Sequence, residues 1–425
     1  MHSETVPYRE RIQDLRGILE RQGSLGLLLI DVSRLVQVEN DYGPGAFRHV
    51  LATAGELVAE LKGTEVRNAD ILAVSDRGGD AFLVFLSPKR YGAPARIADL
   101  RSLAERVEEH LNRRLAKLTS PYIRTRSEVT VAFSMVFFNP LVMPERLVGR
   151  LVEEARECVR VRRMQREFDK RCRLQEVLLD ELVTTVFQPV VALRDAKVIG
   201  YEALSRGPAG TEYHGAARLF EMAAESDMTF ELDRNCRRQA LQAARNLPAG
   251  SKLFLNVFPA AMFDPEFQGA SLIQSLEGLG LSPERIVLEI TEKCAIENYT
   301  LFVEALHNFT QMGFSVAVDD IGAGYSGLEK IAHLNPRYLK FDMQLVRGID
   351  ASFVRREMAR ALKHFADKMD STIIAEGIET DGELHTLLDL GIEYGQGFLM
   401  GKPDARIPAP QPISLGRLEG FAATA

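Results

Sequence analysis

Short apolar runs in the second half of this chain end again and again on a side chain that could do chemistry. VIGYE ends on Glu202, KLFLN on Asn256, RIVLE on Glu289, FSVAVDD on Asp319 and Asp320, RYLK on Lys340, TIIAE on Glu376 and YGQ on Gln396. One acid at a strand end is most simply a solvated terminus or a helix N-cap, so the repetition carries the signal. Carboxylates gathered in one pocket repel, and each unpaired buried ion costs on the order of several kcal/mol, so the group demands a cation. An all-oxygen donor set, acids plus the amide of Asn256, with no His or Cys cluster, favours Mg²⁺ or Mn²⁺ over zinc. The adjacent acids Asp319 and Asp320 suit two ions about 3.5 to 4 Å apart, the arrangement that clamps the attacking and leaving oxygens of a phosphoester displacement.

The elements that must position these residues follow from periodicity. From Thr184 strands and helices alternate over roughly 220 residues, close to one β/α barrel, whose active sites sit at the C-terminal ends of the strands. The first half reads LGLLLID as a strand, then a helix from Ala46 to Leu61, the strands DILAVSD and AFLVFLS, a helix from about Pro94 to Leu118 and the strand EVTVAFSMVFF. That β-α-β-β-α-β order predicts a ferredoxin-like domain. Pro144 then opens a charged segment with leucines and valines at helical spacing and no internal proline. It reads as a long connecting helix that could also be a dimer seam, or as two shorter helices broken near Arg163. The expected α/β architecture is therefore a ferredoxin-like domain over 1–143, a connecting helix over 144–180, a modified barrel over 181–408 and a tail over 409–425.

Composition sets the limits. A length of 425 residues suggests two or three domains, and 46% hydrophobic with 26% charged residues is an ordinary soluble composition. A formal net charge of -7 leaves no basic footprint for nucleic acid. The most apolar runs reach about half of the roughly 20 residues that a membrane helix needs. The N-terminal MHSETVPYRERIQDLRG has no apolar core of a signal peptide, so a cytoplasmic protein is expected. Cys158, Cys172, Cys236 and Cys294 lie far apart with no C-x-x-C pair, against a disulfide framework or a zinc site.

Glu202, Ala203 and Leu204 in YEALSR resemble the signature of the EAL family of cyclic di-GMP phosphodiesterases. FQP from Phe187, NVFP from Asn256, EITE from Glu289, DDIGAGYSGL from Asp319, LKFD from Leu339, AEGIE from Ala375 and GQGF from Gly395 agree in order, over about residues 175 to 405. The resemblance implies a barrel whose first strand runs antiparallel to the rest. It also implies a first ion on Glu202, Asn256, Glu289 and Asp319, and a second among Asp319, Asp320 and Glu376. Lys340 would position and polarise the attacking water, Glu376 would be the general base, and Glu292 would help to hold the loop after Asp320. Gln188 and Arg206 match positions that contact the cyclic dinucleotide, and Gln396 one that lines its pocket. The implied reaction opens one phosphodiester bond of cyclic di-GMP to give linear pGpG; the alternative is a non-catalytic cyclic di-GMP receptor. The loop DIGAGYSGL departs from the family's DFGTGYSSL, and the hydroxyl missing at Ala323 removes a hydrogen bond worth roughly 0.5 to 1.5 kcal/mol, enough to slow turnover.

In the first half, GGDAF from Gly78 resembles the GGDEF signature of diguanylate cyclases, with Asp31 matching a metal-binding position and Asp80 the signature's first acid. Ala81 stands where the second acid belongs, Ser33, Leu35 and Val36 replace the usual Asp, Phe and Lys, and Phe47 and Arg48 replace a Gly-Asp pair. Cyclase activity is not expected. A regulatory or dimerising role in a homodimer is, with GTP and Mg²⁺ on Asp31 and Asp80 as a weaker expectation. RNAD, Arg67 to Asp70, has the form of an inhibitory product site but reads as a surface ion pair.

Overall fold

A computed structural model of the chain describes residues 6–75, 80–87, 96–119, 129–291, 299–322 and 328–407. It divides into two compact units, Met1–Lys170 and Arg171–Ala425.

The first unit runs α1 (Ile12–Gln22), β1 (Ser24–Asp31), α2 (Val36–Ala59), β2 (Ile71–Val74), β3 (Ala81–Phe85), α3 (Ile97–Thr119), β4 (Thr130–Phe137) and α4 (Pro144–Leu179). Its sheet has the order β2-β3-β1-β4 with every pair antiparallel. The central strand SLGLLLID is apolar at nearly every position because both its faces are covered. Leu28 and Ile30 pack with Leu57 of α2 and Leu100 and Val107 of α3. Leu25, Leu27 and Leu29 pack with Leu15 and Leu19 of α1 and with Leu147, Leu151 and Ala155 of α4. Helix α2 starts at Val36, ahead of the expected Ala46, and kinks at Gly43, whose φ of 81° and ψ of 173° leave the helix just before Pro44. Only glycine takes that φ without strain.

Helix α4 is continuous from Pro144 to Leu179, with no break at Arg163. Its apolar stripe changes allegiance along its length. Leu147 to Val159 belong to the core of the first unit, whereas Leu174 and Val177 join Val183, Leu219, Met222 and Leu232 in the second.

The second unit is a closed eight-stranded barrel in the order β5 (Thr184–Ala192), β6 (Val198–Arg206), β7 (Lys252–Asn256), β8 (Ile286–Thr291), β9 (Ser315–Ile321), β10 (Tyr338–Phe341), β11 (Thr372–Ala375) and β12 (Tyr394–Gly395). β5 is antiparallel to both β6 and β12, and all other neighbours are parallel. Among the described residues no helix is long and apolar enough to cross a membrane.

Candidate active site at the barrel rim

The period of two along a strand builds the site. Val190, Phe254, Val287, Ala317, Tyr338, Ile374 and Tyr394 form one apolar cluster that plugs the barrel. Two residues further along each parallel strand, on the same face, stand Asn256, Glu289, Asp319, Lys340, Glu376 and Gln396. On the antiparallel β5 the step runs backwards, from Val190 to Gln188, which pairs in register with Glu202. The polar layer thus lies one step above the plug, at the C-terminal ends of the parallel strands.

Lys340 is the hub. Its side chain is 0% exposed, and Nζ lies 2.7 Å from Glu289 Oε1, 2.7 Å from Glu376 Oε1, 3.4 Å from Glu202 Oε2 and 3.6 Å from Asp319 Oδ1. Burial alone would lower the lysine, but Asp319, Glu202, Glu289 and Glu376 outweigh it and hold the ammonium well above its ordinary value. Burial pushes Glu289 well above the carboxylate range against the pull of Lys340. It likewise raises Asp319, and takes Glu376 up to about 8. Burial, then the charges of Asp319 and Asp342, bring Asp320 to about 6. Glu202 goes the other way: burial opposes ionisation, but Lys340 and hydrogen bonds from Gln396 and Asn256 keep it below its ordinary value.

One lysine cannot neutralise this many acids, and their weakened acidity means that protons take the place of further cations. Glu289 Oε2 and Gln396 Oε1 are buried without a hydrogen-bond donor or acceptor of their own. Oxygen atoms of Asp319, Asp320 and Glu376 lie within 4.8 Å of one another. An excess of buried carboxylate oxygens with unsatisfied lone pairs fits hard divalent cations such as Mg²⁺ or Mn²⁺.

Adjacent residues on a strand normally face opposite ways, yet Asp319 and Asp320 share this cluster. The cause is a bulge: Leu339 pairs with Val318 and Phe341 with Ile321, so Asp319 and Asp320 together oppose Lys340. Asp320 takes the left-handed conformation, φ 61°, a strain of about 1 to 3 kcal/mol in a non-glycine residue. Such bulges re-aim side chains, and this one turns two consecutive acids to one rim.

Gln396 is buried, and its Nε2 donates to Glu202 Oε2 at 2.5 Å and Glu376 Oε1 at 3.1 Å. It therefore aligns two of the acids, a role the sequence reading did not give it. A Cβ on the next residue, Gly397, would sit 2.1 Å from the Ile378 carbonyl oxygen, so only glycine lets this turn close against the loop after β11. Asn256 Nδ2 donates to Glu202 Oε1 at 3.2 Å. Gln188 donates to the Gly401 carbonyl at 3.1 Å. Arg206 uses Nη1 on the Ser205 carbonyl at 2.9 Å, with its guanidinium lowered chiefly by burial. Glu292 and the altered positions Ala323 and Gly327 lie outside the described residues.

A second polar network escaped the sequence reading. Arg237, 3% exposed, donates to Asp233 at 2.7 Å and to Asp264 at 3.0 Å, while Arg234 forks onto both oxygens of Asp264 at 2.9 and 2.6 Å. The other oxygen of Asp233 accepts from the Phe258 amide at 3.1 Å. These bonds fasten the loop just after Asn256 to α6 (Thr229–Ala243). α5 is the preceding helix, Ala216–Glu225. Arg237 and Asp233 are four apart on the helix, but the bonds that reach the loop join residues 25 to 30 apart, so no local pattern announces the network.

In the first unit Asp31 and Asp80 are already ion-paired. Arg163 Nη2 lies 2.9 Å from Asp31 and Arg156 Nη1 3.7 Å from Asp80, both arginines coming from α4. RNAD is not a surface pair: Asp70 is 2% exposed and accepts from the Arg67 amide at 2.8 Å and from the Ser87 amide and hydroxyl at 2.7 and 2.6 Å. It pins the start of β2 beside the end of β3.

Residues 171–403 match the EAL domain family, starting at the first residue of the second unit. The cyclic di-GMP phosphodiesterase NbdA of Pseudomonas aeruginosa is 25% identical over 415 residues, covering 92% of this chain and 50% of NbdA. The cyclic di-GMP phosphodiesterase PdeR of Escherichia coli is 37% identical over 133 residues, 31% of this chain and 20% of PdeR. The chain thus spans half the length of NbdA and less of PdeR. The crystal structure of the FimX EAL domain shares the fold, with a TM-score of 0.51 at 24% identity over 56% of this chain and 98% of that one. With its family match over more than half its length, laid on a closed barrel with one antiparallel strand, the chain belongs to the EAL domain family.

Proposed function

We propose that the second unit hydrolyses one phosphodiester bond of cyclic di-GMP to give linear pGpG, with two divalent ions, Mg²⁺ or Mn²⁺, and that it does so in the cytoplasm. The reading rests on one observation: Glu202, Glu289, Asp319 and Glu376 all lie within 3.6 Å of the buried Lys340 ammonium at the rim. Glu202, Asn256, Glu289 and Asp319 would hold one ion, and Asp319, Asp320 and Glu376 the other. Bound there, the ions would supply water acidified toward neutral pH and charge to offset the phosphate. Lys340 keeps its proton and orients the attacking water. Glu376, 2.7 Å from that ammonium, accepts the water's proton as the new P–O bond forms and the P–O bond to the ribose oxygen breaks, and that leaving oxygen takes a proton from solvent water. Arg206 grips phosphate, since a guanidinium offers a planar fork of donors and among the described residues only Nη1 is bonded, to the Ser205 carbonyl; Gln188 and Gln396 border the same pocket.

The first unit we read as a ferredoxin-like, degenerate GGDEF domain with a regulatory or dimerising role. Its β-α-β-β-α-β order and sheet order support that reading, and the arginines on Asp31 and Asp80 speak against catalysis there. Incubating the purified protein with cyclic di-GMP and either metal, then separating nucleotides by chromatography, tests the main claim. We expect pGpG from the wild type and none from Glu202→Ala. Tight binding of the dinucleotide without pGpG under either metal would replace the enzyme with a receptor.

A further inference from the structure

The helix that follows β11, Asp381–Asp389, opens with a capping box: Thr380 Oγ1 accepts from the Glu383 amide at 3.3 Å, and Glu383 Oε2 accepts from the Thr380 amide at 3.0 Å. A capping box occupies one carboxylate oxygen, here Oε2, which also takes the Glu379 amide at 2.9 Å. The other oxygen is used elsewhere. Oε1 accepts from the Gly348 amide at 2.8 Å, 35 residues back, in the loop that follows β10. The Glu383 side chain is buried, with 5% of the residue exposed. Burial opposes its ionisation, but the amides of Gly348, Glu379 and Thr380 win and hold it below its ordinary value.

The two loops joined in this way follow the strands that carry Lys340 and Glu376, whose Nζ and Oε1 lie 2.7 Å apart. They meet at several points. A Cβ on Gly377, the residue after Glu376, would sit 2.6 Å from Met343 Cβ, and one on Gly382 would sit 2.6 Å from Asp350 Oδ2. Arg347 pairs with Glu379 at 2.6 Å, but their side chains are 53% and 39% exposed, and such a surface pair is worth little. Glu383 supplies a buried tie in the same place. We propose that Glu383 is a positioning residue: by bonding the Gly348 amide it holds the loop after Glu376 against the loop after Lys340, and so keeps that acid and that ammonium at their working separation. The inference rests on the reading of Glu376 as a metal ligand and proton acceptor, and it adds a residue that acts only through others. Outer partners of this kind typically matter 10- to 100-fold, because a small misplacement of a reacting group is costly.

Glu383→Gln separates the tie from the cap. A glutamine keeps one oxygen for the amides of Glu379 and Thr380 and turns its NH₂ toward the Gly348 N–H, so that two donors oppose each other. Thr380→Val is the matched control, since it removes the hydroxyl that caps the helix and leaves both oxygens of Glu383 in place. On the full chain, both variants should melt a few degrees below the wild type. Only Glu383→Gln should lose about tenfold in kcat for pGpG formation at saturating Mn²⁺, with KM for cyclic di-GMP kept within about twofold. It alone should also lose about tenfold in affinity for Mn²⁺, measured by calorimetry without nucleotide. Unchanged kcat and Mn²⁺ affinity in Glu383→Gln would overturn the proposal. Equal losses in Thr380→Val would overturn it too, by making Glu383 no more than part of the cap. The calorimetry stands apart from turnover. A wild type that binds Mn²⁺ but forms no pGpG would remove the proposed reaction, and a tenfold weaker Mn²⁺ affinity in Glu383→Gln would still support the positioning.

Discussion

Lys340 carries two jobs that one substitution can separate. As the only cation within reach of Glu202, Glu289, Asp319 and Glu376 among the described residues, it holds the resting barrel together. Removing one partner of a buried ionic cluster costs about 3 to 5 kcal/mol. Lys340→Ala should therefore melt well below the wild type in chelator and recover part of the loss with Mn²⁺, because an ion that binds only the folded state stabilises it. Its pGpG formation should remain at least about a thousandfold down, equivalent to about 4 kcal/mol of lost transition-state stabilisation. Melting curves with and without metal beside a turnover assay check both halves; full activity in the alanine variant would remove the lysine from the reaction. Gln396 makes a milder case. It touches two acids and acts by aiming them, and losing such an orienting partner typically costs 10- to 100-fold in metal affinity or activity. Gln396→Ala should show that loss in a Mn²⁺ titration of the rate, with activity returning at high metal.

At the scale of elements, the strand ends were legible because each site residue sits two places beyond an apolar one, as in FLN, VLE, AVD, YLK and IAE, and a period of two needs no tertiary information. The antiparallel first strand was legible only through resemblance. The bulge that turns Asp319 and Asp320 to one side was not legible, since it exists only as a register shift against β10. Nor was the network of Asp233, Arg237 and Asp264, whose members come from a helix and a loop and look like ordinary surface charge in sequence. That network makes a pH prediction. Burial opposes ionisation of Asp264, but hydrogen bonds from Arg234 and Arg237 win and hold it below its ordinary value. Asp233, by contrast, is raised, chiefly by burial. A lowered carboxylate stabilises the fold above its unfolded value of about 3.9 and loses that stabilisation as pH falls through the folded value. Asp264→Asn should thus be less stable than wild type near neutrality by on the order of 3 to 5 kcal/mol, and the gap should narrow below about pH 4. Denaturant titrations at several pH values would show it; a gap constant with pH would mean that the ionised Asp264 is not what holds the loop.

Over the whole molecule, the question is where the barrel unit begins and what the first unit binds. The expected start at residue 181 follows the first barrel strand, but Leu174 and Val177 are already buried against Leu219, Met222 and Leu232. Each such side chain is worth about 1.5 to 3 kcal/mol when buried. A fragment starting at residue 171 should therefore melt well above one starting at 181, and equal melting points would restore the shorter boundary. The first unit invites a different test. Its retained acids Asp31 and Asp80 look like a metal and nucleotide site in sequence, yet Arg163 and Arg156 from α4 supply the positive charge that a divalent ion would bring. A metal-bound triphosphate could use these two carboxylates only by displacing both arginines. GTP can change the barrel's rate only if it binds one state of the protein better than another, and no binding means no shift. The phosphodiesterase rate should accordingly stay flat across a millimolar GTP titration with Mg²⁺, and calorimetry should register no heat of binding. An Arg156→Ala, Arg163→Ala variant frees the two acids and should take up Mn²⁺ at the first unit if cation replacement is what those arginines do. Saturable GTP activation of the wild type would show instead that the pairs open readily, and that the first unit reads nucleotide.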